Sequence, residues 1–182
     1  MNKPLMTPKG EYAFGVDIGG TNTVVGLVDR AGKVLGTDSV KTQSLPVLEE
    51  YVKTVSSMAK ELLKKHNVAL SDLAGMGIGA PNANYYTGNI EKAPNLPWKQ
   101  DKVPLAKMIS EELGIPVTIT NDANAAALGE KMYGAAKNIN DFIMITLGTG
   151  VGSGIVIDGK LVYGHDGFAG ELGHVIIERD GR

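Results

Sequence analysis

The sequence predicts an α/β chain made of two related parts, each centred on a strand, a tight glycine turn and a returning strand. Three observations carry this reading. Tyr12 to Asp17 alternates apolar and small residues as a strand does, GGTN follows as a turn, and Thr23 to Asp29 reads as the returning strand. The same arrangement recurs where Phe142 to Thr146 rises, LGTGVGSG turns and Gly154 to Ile157 returns. Between the hairpins the apolar period changes to three and four residues, which is helical.

Taken in order, Ala31 to Lys33 is a second turn and Val34 to Lys41 adds a third antiparallel strand, so the first part opens as a meander. Leu48, Tyr51, Val52, Val55, Met58, Ala59, Leu62 and Leu63 mark one face of an amphipathic helix. Met76 to Ala80 is a short buried strand closed by Pro81. The stretch from Asn82 to Lys102, rich in Asn, Pro and Gly, is a long loop or a small hairpin. Pro104 and Gly114 bracket a helix through LAKMISEEL, and Val117 to Thr120 supplies a β-branched strand. Asn121 and Asp122 then lead into the alanine-rich helix Ala123 to Tyr133, with Asp122 near its N-terminus. Asp158-Gly159 is a further turn, and a glycine-rich stretch ends in the apolar run Val175 to Ile177.

Bulk properties narrow the function. With 18 basic and 20 acidic residues the formal net charge is −2, too small to hold a polyanion or an anionic bilayer, so neither nucleic acid nor membrane is the expected partner. Zero cysteines exclude a disulfide framework and a thiolate metal site. The start MNKPLMTPKG has neither a signal-peptide run nor an Arg-rich transit segment, and no apolar stretch is long enough to span a bilayer, so a cytoplasmic location is expected.

Glycine at a turn allows backbone N–H groups to approach a phosphate closely, and several pointing inward form an anion-binding concavity without Lys or Arg. Either turn alone is equally well an ordinary hairpin turn. Two together could grip one triphosphate. No GxxxxGK[ST] occurs and no GxGxxG opens a helix, which removes the main support for P-loop and Rossmann readings.

VDIGGTNT, NDANAAALGE, LGTGVGSG and GELGH occur in that order, and the chain thereby resembles the ROK sugar kinases of the actin, hexokinase and Hsp70 superfamily. NDANAAALGE and GELGH discriminate best. The resemblance implies the actin-like ATPase, hexokinase-type (ribonuclease H-like) fold, with an N-terminal α/β lobe over residues 1–120 and the start of a second lobe over 121–182. It implies ATP-dependent phosphorylation of a hexose, glucose to glucose 6-phosphate by default, with Mg²⁺. ATP phosphates would lie between the two turns, against Gly19, Gly20, Thr21, Asn22 and Thr23 on one side and Gly148, Thr149, Gly150 and Gly152 on the other. Asp17 would hold Mg²⁺ directly or through water; otherwise it is a turn-forming Asp. Asp122 would be the general base that takes the proton of the sugar hydroxyl; otherwise it is a helix cap. Asn95, Asn121, Asp122, Glu171 and His174 would bind the sugar, since all can hydrogen-bond hydroxyls. Glu171 and His174, three apart, would share one helix face. Asn95 is alternatively a turn residue between Pro94 and Pro97.

The sequence departs from the family pattern where a cysteine cluster would follow GELGH, so His174 lacks its usual partners and structural zinc is not expected. The chain reads as the N-terminal portion of such a kinase, with an incomplete second lobe that exposes apolar surface and favours self-association, a homodimer included. Three alternatives stand beside kinase activity. They are a sugar- or nucleotide-binding fragment without turnover, a ROK-type transcriptional regulator, which would need an N-terminal DNA-binding helix pair, and an Hsp70-like ATPase.

Overall fold

The computed structural model describes residues 10–148 and 150–179. The meander forms as predicted: β1 (Tyr12–Ile18) pairs antiparallel with β2 (Asn22–Asp29), and β2 pairs antiparallel with β3 (Val34–Lys41). Aspartate closes the β2–β3 turn, where the Ala31 and Lys33 amides both donate to Asp29 Oδ1 at 2.9 Å.

Helix α1 (Leu48–His66) follows. Its period places Tyr51, Val55, Ala59 and Leu62 on the buried face, while Glu49 and Glu50 in the first turn and Lys64, Lys65 and His66 in the last complement the helix dipole. Asn67 ends it in the left-handed region at φ 54°, a conformation asparagine tolerates well. Strand β4 (Leu73–Gly79) starts three residues earlier than the sequence suggested, and pairs parallel with β1. Residues 82–103 form a small three-stranded sheet of β5 (Ala83–Asn84), β6 (Asn89–Glu91) and β7 (Lys102–Val103), the hairpin alternative with one strand added. Helix α2 (Leu105–Leu113) ends at Gly114, φ 69°, and β8 (Val117–Thr120) pairs parallel with β4.

The resulting five-stranded sheet has the order β3-β2-β1-β4-β8. One face carries Phe14, Val16, Ile18, Val25, Leu27, Met76 and Ile78, all buried with residues of α1 and α2 in one core. The opposite face presents Gly15, Asp17, Gly26, Gly77 and Gly79. Helix α3 (Asp122–Tyr133) leaves the end of β8 onto that face, close enough that a methyl at Gly79 would sit 3.1 Å from Ala125 Cβ.

The second hairpin also forms: β9 (Phe142–Leu147) pairs antiparallel with β10 (Val151–Ile157), extended by β11 (Lys160–Leu161). Helix α3 packs on it through Ala123 and Ala127, and a side chain at Gly154 would clash with Ala127 Cβ at 2.6 Å. Its other face is largely bare, with Ile143, Ile145 and Leu147 exposed. Beyond it, Leu172–His174 form a single 3-10 turn preceded by Glu171, rather than the α-helix predicted from the spacing of Glu171 and His174. No helix among the described residues is long and apolar enough to cross a membrane.

Candidate functional site

The turn between β1 and β2 closes with Gly19 N donating to Asn22 O at 2.8 Å. Its three carbonyls are all engaged from one side by the residues that follow β3. Thr42 Oγ1 donates to Gly19 O at 2.8 Å, Gln43 Nε2 to Gly20 O at 2.8 Å, and Thr42 N to Thr21 O at 2.9 Å. A trans peptide points its N–H opposite its C=O. The amides of Gly20, Thr21 and Asn22 therefore face away from Thr42 and Gln43, as an anion-binding concavity requires. Neither Gly19 nor Gly20 has positive φ, so glycine supplies room here rather than a special conformation.

Thr23, predicted among the phosphate contacts, turns its hydroxyl into the core instead. It is fully buried and lies 3.0 Å from both Thr42 Oγ1 and Tyr51 Oη. Burial pushes the Tyr51 phenol up from its ordinary value, and its ring meets Trp98 edge-on at 4.4 Å. Trp98 in turn donates from Nε1 to Leu45 O at 3.2 Å. This buried network anchors the turn to α1 and to the loop before β7.

At the end of β8, Asn121 caps α3: its Oδ1 accepts from Ala123 N at 2.8 Å and from Asn124 N at 3.4 Å. The capping role considered for Asp122 thus belongs to Asn121, because Asp122 is already helical and Asn121 keeps an extended backbone, φ −58° and ψ 147°. Asp122 is exposed in the first turn, where the helix dipole favours a carboxylate. Asp17, near the end of β1, feels it. Partial burial first, and then the Asp122 charge, hold the Asp17 carboxyl above the usual carboxylate range.

Both carboxylates border a cleft of about 970 Å³ between the glycine-rich sheet face and α3. Asn95, Asn121, Glu171 and His174 do not line it. Tyr85 and Tyr163 do, stacked at 4.1 Å with rings 8° from parallel, one from the β5–β6 turn and the other beyond β11. Burial, reinforced by Tyr85 and Tyr86, pushes the Tyr163 phenol up to about 12. Tyr86 Oη donates to Gly164 O at 2.9 Å and Asn84 Nδ2 to Asp166 O at 2.8 Å, so this turn clasps the segment after β11. Nothing in the sequence marks this clasp, since Tyr85 and Tyr86 lie in a stretch without period.

Asn95 occupies the exposed turn in which Leu96 N donates to Ala93 O at 3.2 Å, and its own carbonyl accepts from Gln43 Nε2 at 3.0 Å. A Cβ at Gly20 would lie 3.3 Å from Asn95 O, so Asn95 and the first glycine turn are neighbours. Glu171 Oε2 and His174 Nε2 lie 3.9 Å apart, both solvent-accessible, which realises their pairing without a helix. Gly148 N donates to Gly150 O at 3.0 Å across the second turn, and Gly152 packs over Ala123, next to the start of α3. Thr149 lies outside the described residues. No group of three or more His, Cys, Asp or Glu suited to a metal occurs among the described residues.

Comparison with known proteins places this arrangement. The chain is 40% identical over 169 residues to a glucokinase of Streptomyces coelicolor, covering 92% of this chain and 50% of that protein. A xylose repressor of Caldicellulosiruptor bescii is 34% identical over 165 residues, covering 90% of this chain and 41% of the repressor. Among solved structures, a ROK family glucokinase from Streptomyces griseus in complex with glucose and AMPPNP superposes with a TM-score of 0.78 at 38% identity. That match covers 93% of this chain and 52% of the other. The chain therefore spans about half the length of the curated relatives it matches. The fold is that of the ROK sugar kinases, the actin-like ATPase fold inferred from the motifs. The ROK family profile matches residues 13–182, and with the glycine turns, the capped α3 and the sheet order in place, the chain belongs to the ROK family.

Proposed function

We propose that this chain serves ATP-dependent phosphorylation of a hexose hydroxyl, with glucose the first acceptor to test. The observation that carries the reading is the placing of Asp122 at the N-terminus of α3, across the cleft from Asp17. In this reading residues 1–120 and 121–182 belong to two lobes, and the phosphates lie between Gly19–Asn22 and the second turn at Gly148, Thr149, Gly150 and Gly152.

Asp122 accepts the proton of the attacking hydroxyl, and the solvent access of its carboxylate suits it to that task. The turned-out amides of Gly20, Thr21 and Asn22 receive phosphate oxygens, which supplies fixed dipoles without reorganisation. Asn95, Glu171 and His174 bind sugar hydroxyls, and the Nδ2 of Asn121 joins them while its Oδ1 holds the cap. The residues fit a divalent cation carried with the nucleotide. Asp17 and Asp122 repel one another across the cleft, and one or two carboxylates with phosphate oxygens are the usual complement for Mg²⁺. Mg²⁺, when bound, neutralises charge on the transferring phosphoryl group. Asp17 would hold it, directly or through water.

A coupled ADP-release assay with Mg-ATP and a panel of hexoses tests the reading. Hexose-dependent turnover is expected, and Asp122→Asn, which keeps shape and removes the base, should lower it by about 10²–10⁴-fold. Equal rates for both proteins would remove Asp122 from the role. The xylose repressor relative supports a second reading, sugar binding without phosphoryl transfer. Hexose binding with no ADP release would favour it.

A further inference from the structure

Gln43 belongs to no motif of the sequence, and its side chain joins two segments to which the hexose-kinase reading assigns different tasks. Its Nε2 donates to Gly20 O at 2.8 Å, in the turn assigned to phosphate, and to Asn95 O at 3.0 Å, in the turn assigned to sugar. Gly20 and Asn95 also lie close together, since a Cβ added at Gly20 would sit 3.3 Å from Asn95 O. The adjacent Thr42 holds the neighbouring carbonyls of Gly19 and Thr21. Of Thr42 and Gln43, it is Gln43 whose side chain reaches both turns.

From this geometry we propose that Gln43 is a positioning residue that couples sugar binding to nucleotide binding. The proposal rests on the hexose-kinase reading of the site. A carbonyl held by Gln43 cannot rotate unless its peptide plane rotates, and the attached amide moves with it. Phosphate binding at the amide of Thr21 fixes the Gly20–Thr21 peptide, and with it the Gln43 amide group that steadies Asn95. Sugar binding at Asn95 fixes the same group from the other side. Each ligand pays part of the ordering cost of the other, so the coupling is reciprocal. Because Gln43 is exposed and its partners are backbone atoms, either turn forms without it.

Two variants separate this role from a general structural one. Gln43→Met keeps length and removes the donor, whereas Gln43→Lys keeps a donor long enough to reach both carbonyls. Hydrogen exchange on the ligand-free full chain should show faster exchange in Gly20 to Asn22 and in Asn95 to Leu96 for the Met variant. The Lys variant should restore protection in both. Calorimetric glucose titrations with and without AMPPNP give the coupling. The wild type should bind glucose about fivefold or more tightly with AMPPNP present. The Met variant should lose most of that factor, while its affinity for either ligand alone changes less than about threefold, the net worth of one exposed hydrogen bond. Unchanged coupling in the Met variant overturns the proposal, as does faster exchange confined to Thr42–Ser44. If the wild type binds both ligands but independently, the coupling fails and the hexose-kinase reading survives. If it binds neither, both fail together.

Discussion

The two glycine turns read alike in sequence and are supported very differently. The first has every carbonyl of its turn held by Thr42 or Gln43, and rests on the buried Thr23, Thr42 and Tyr51 hydroxyls. Among the described residues, the second has one backbone bond across its own turn, Gly148 N to Gly150 O, and the flanking strand is tied to the following segment through Ser153 Oγ and Gly170 O. The packing beneath them differs in the same sense. A single core of large side chains runs from Phe14 to Ile119, whereas beyond it only Ala123, Ala127, Ala136 and Val156 are buried apolar residues among those described. Leu147 stands 82% exposed and Ile177 96%. A glycine-rich turn is only as rigid as the residues behind it, and among the described residues the first turn has the more extensive support.

Matched truncations should show the contrast most strongly. Leu27→Ala, in the fully buried core of β2, should cost about 2–5 kcal/mol in urea denaturation. Ile145→Ala, on the bare face of β9, should stay within about 0.5 kcal/mol. Similar losses for both would erase the distinction. Next in size, Thr23→Val removes the hydroxyl shared by Thr42 and Tyr51 and should cost about 1–3 kcal/mol, because both partners stay buried.

Asp17→Asn should act in the opposite direction. A carboxyl whose folded pKa is raised favours folding below its unfolded pKa, and that contribution is lost as pH rises through the folded value. At pH 7 the ionised Asp17 therefore opposes folding, and the Asn variant should melt higher than the wild type. The difference should vanish in acid once Asp17 is protonated. A gain that persists at low pH would point to another cause. The smallest effect is expected at Gly148, which has open space around its Cβ position and no positive φ. Gly148→Ala should be neutral or stabilising by about 0.4–1 kcal/mol. Gly20→Ala, pressed against Asn95, should be destabilising in the same melt.

Much of the first region was legible because its signals are local. The alternation of Tyr12 to Asp17 and the three-four period of Leu48 to Leu63 declare one strand and one helix face without knowledge of their partners. The parallel pairing of β1 with β4 and of β4 with β8 was not legible, since short β-branched runs do not name their neighbours. Gln43 was hidden for a related reason. The irregularity between Leu27 and Val28 in the β2–β3 ladder shifts the pairing by one residue, so counting back from the Ala31–Lys33 turn misplaces Thr42 and Gln43. The motif singles out Asp122 as a candidate, but spacing alone could not decide that Asn121 caps the helix. That choice depends on ψ at Asn121, which the exit from β8 sets.

Phosphorus NMR of the full chain with Mg-ATP and glucose follows the proposed transfer to a hexose, with Asp122 as base, at the phosphorus atom itself. A sugar phosphomonoester signal should grow with ADP and be slowed at least about 100-fold by Asp122→Asn. Inorganic phosphate in place of the sugar phosphate, or an Asn variant as fast as the wild type, would contradict it.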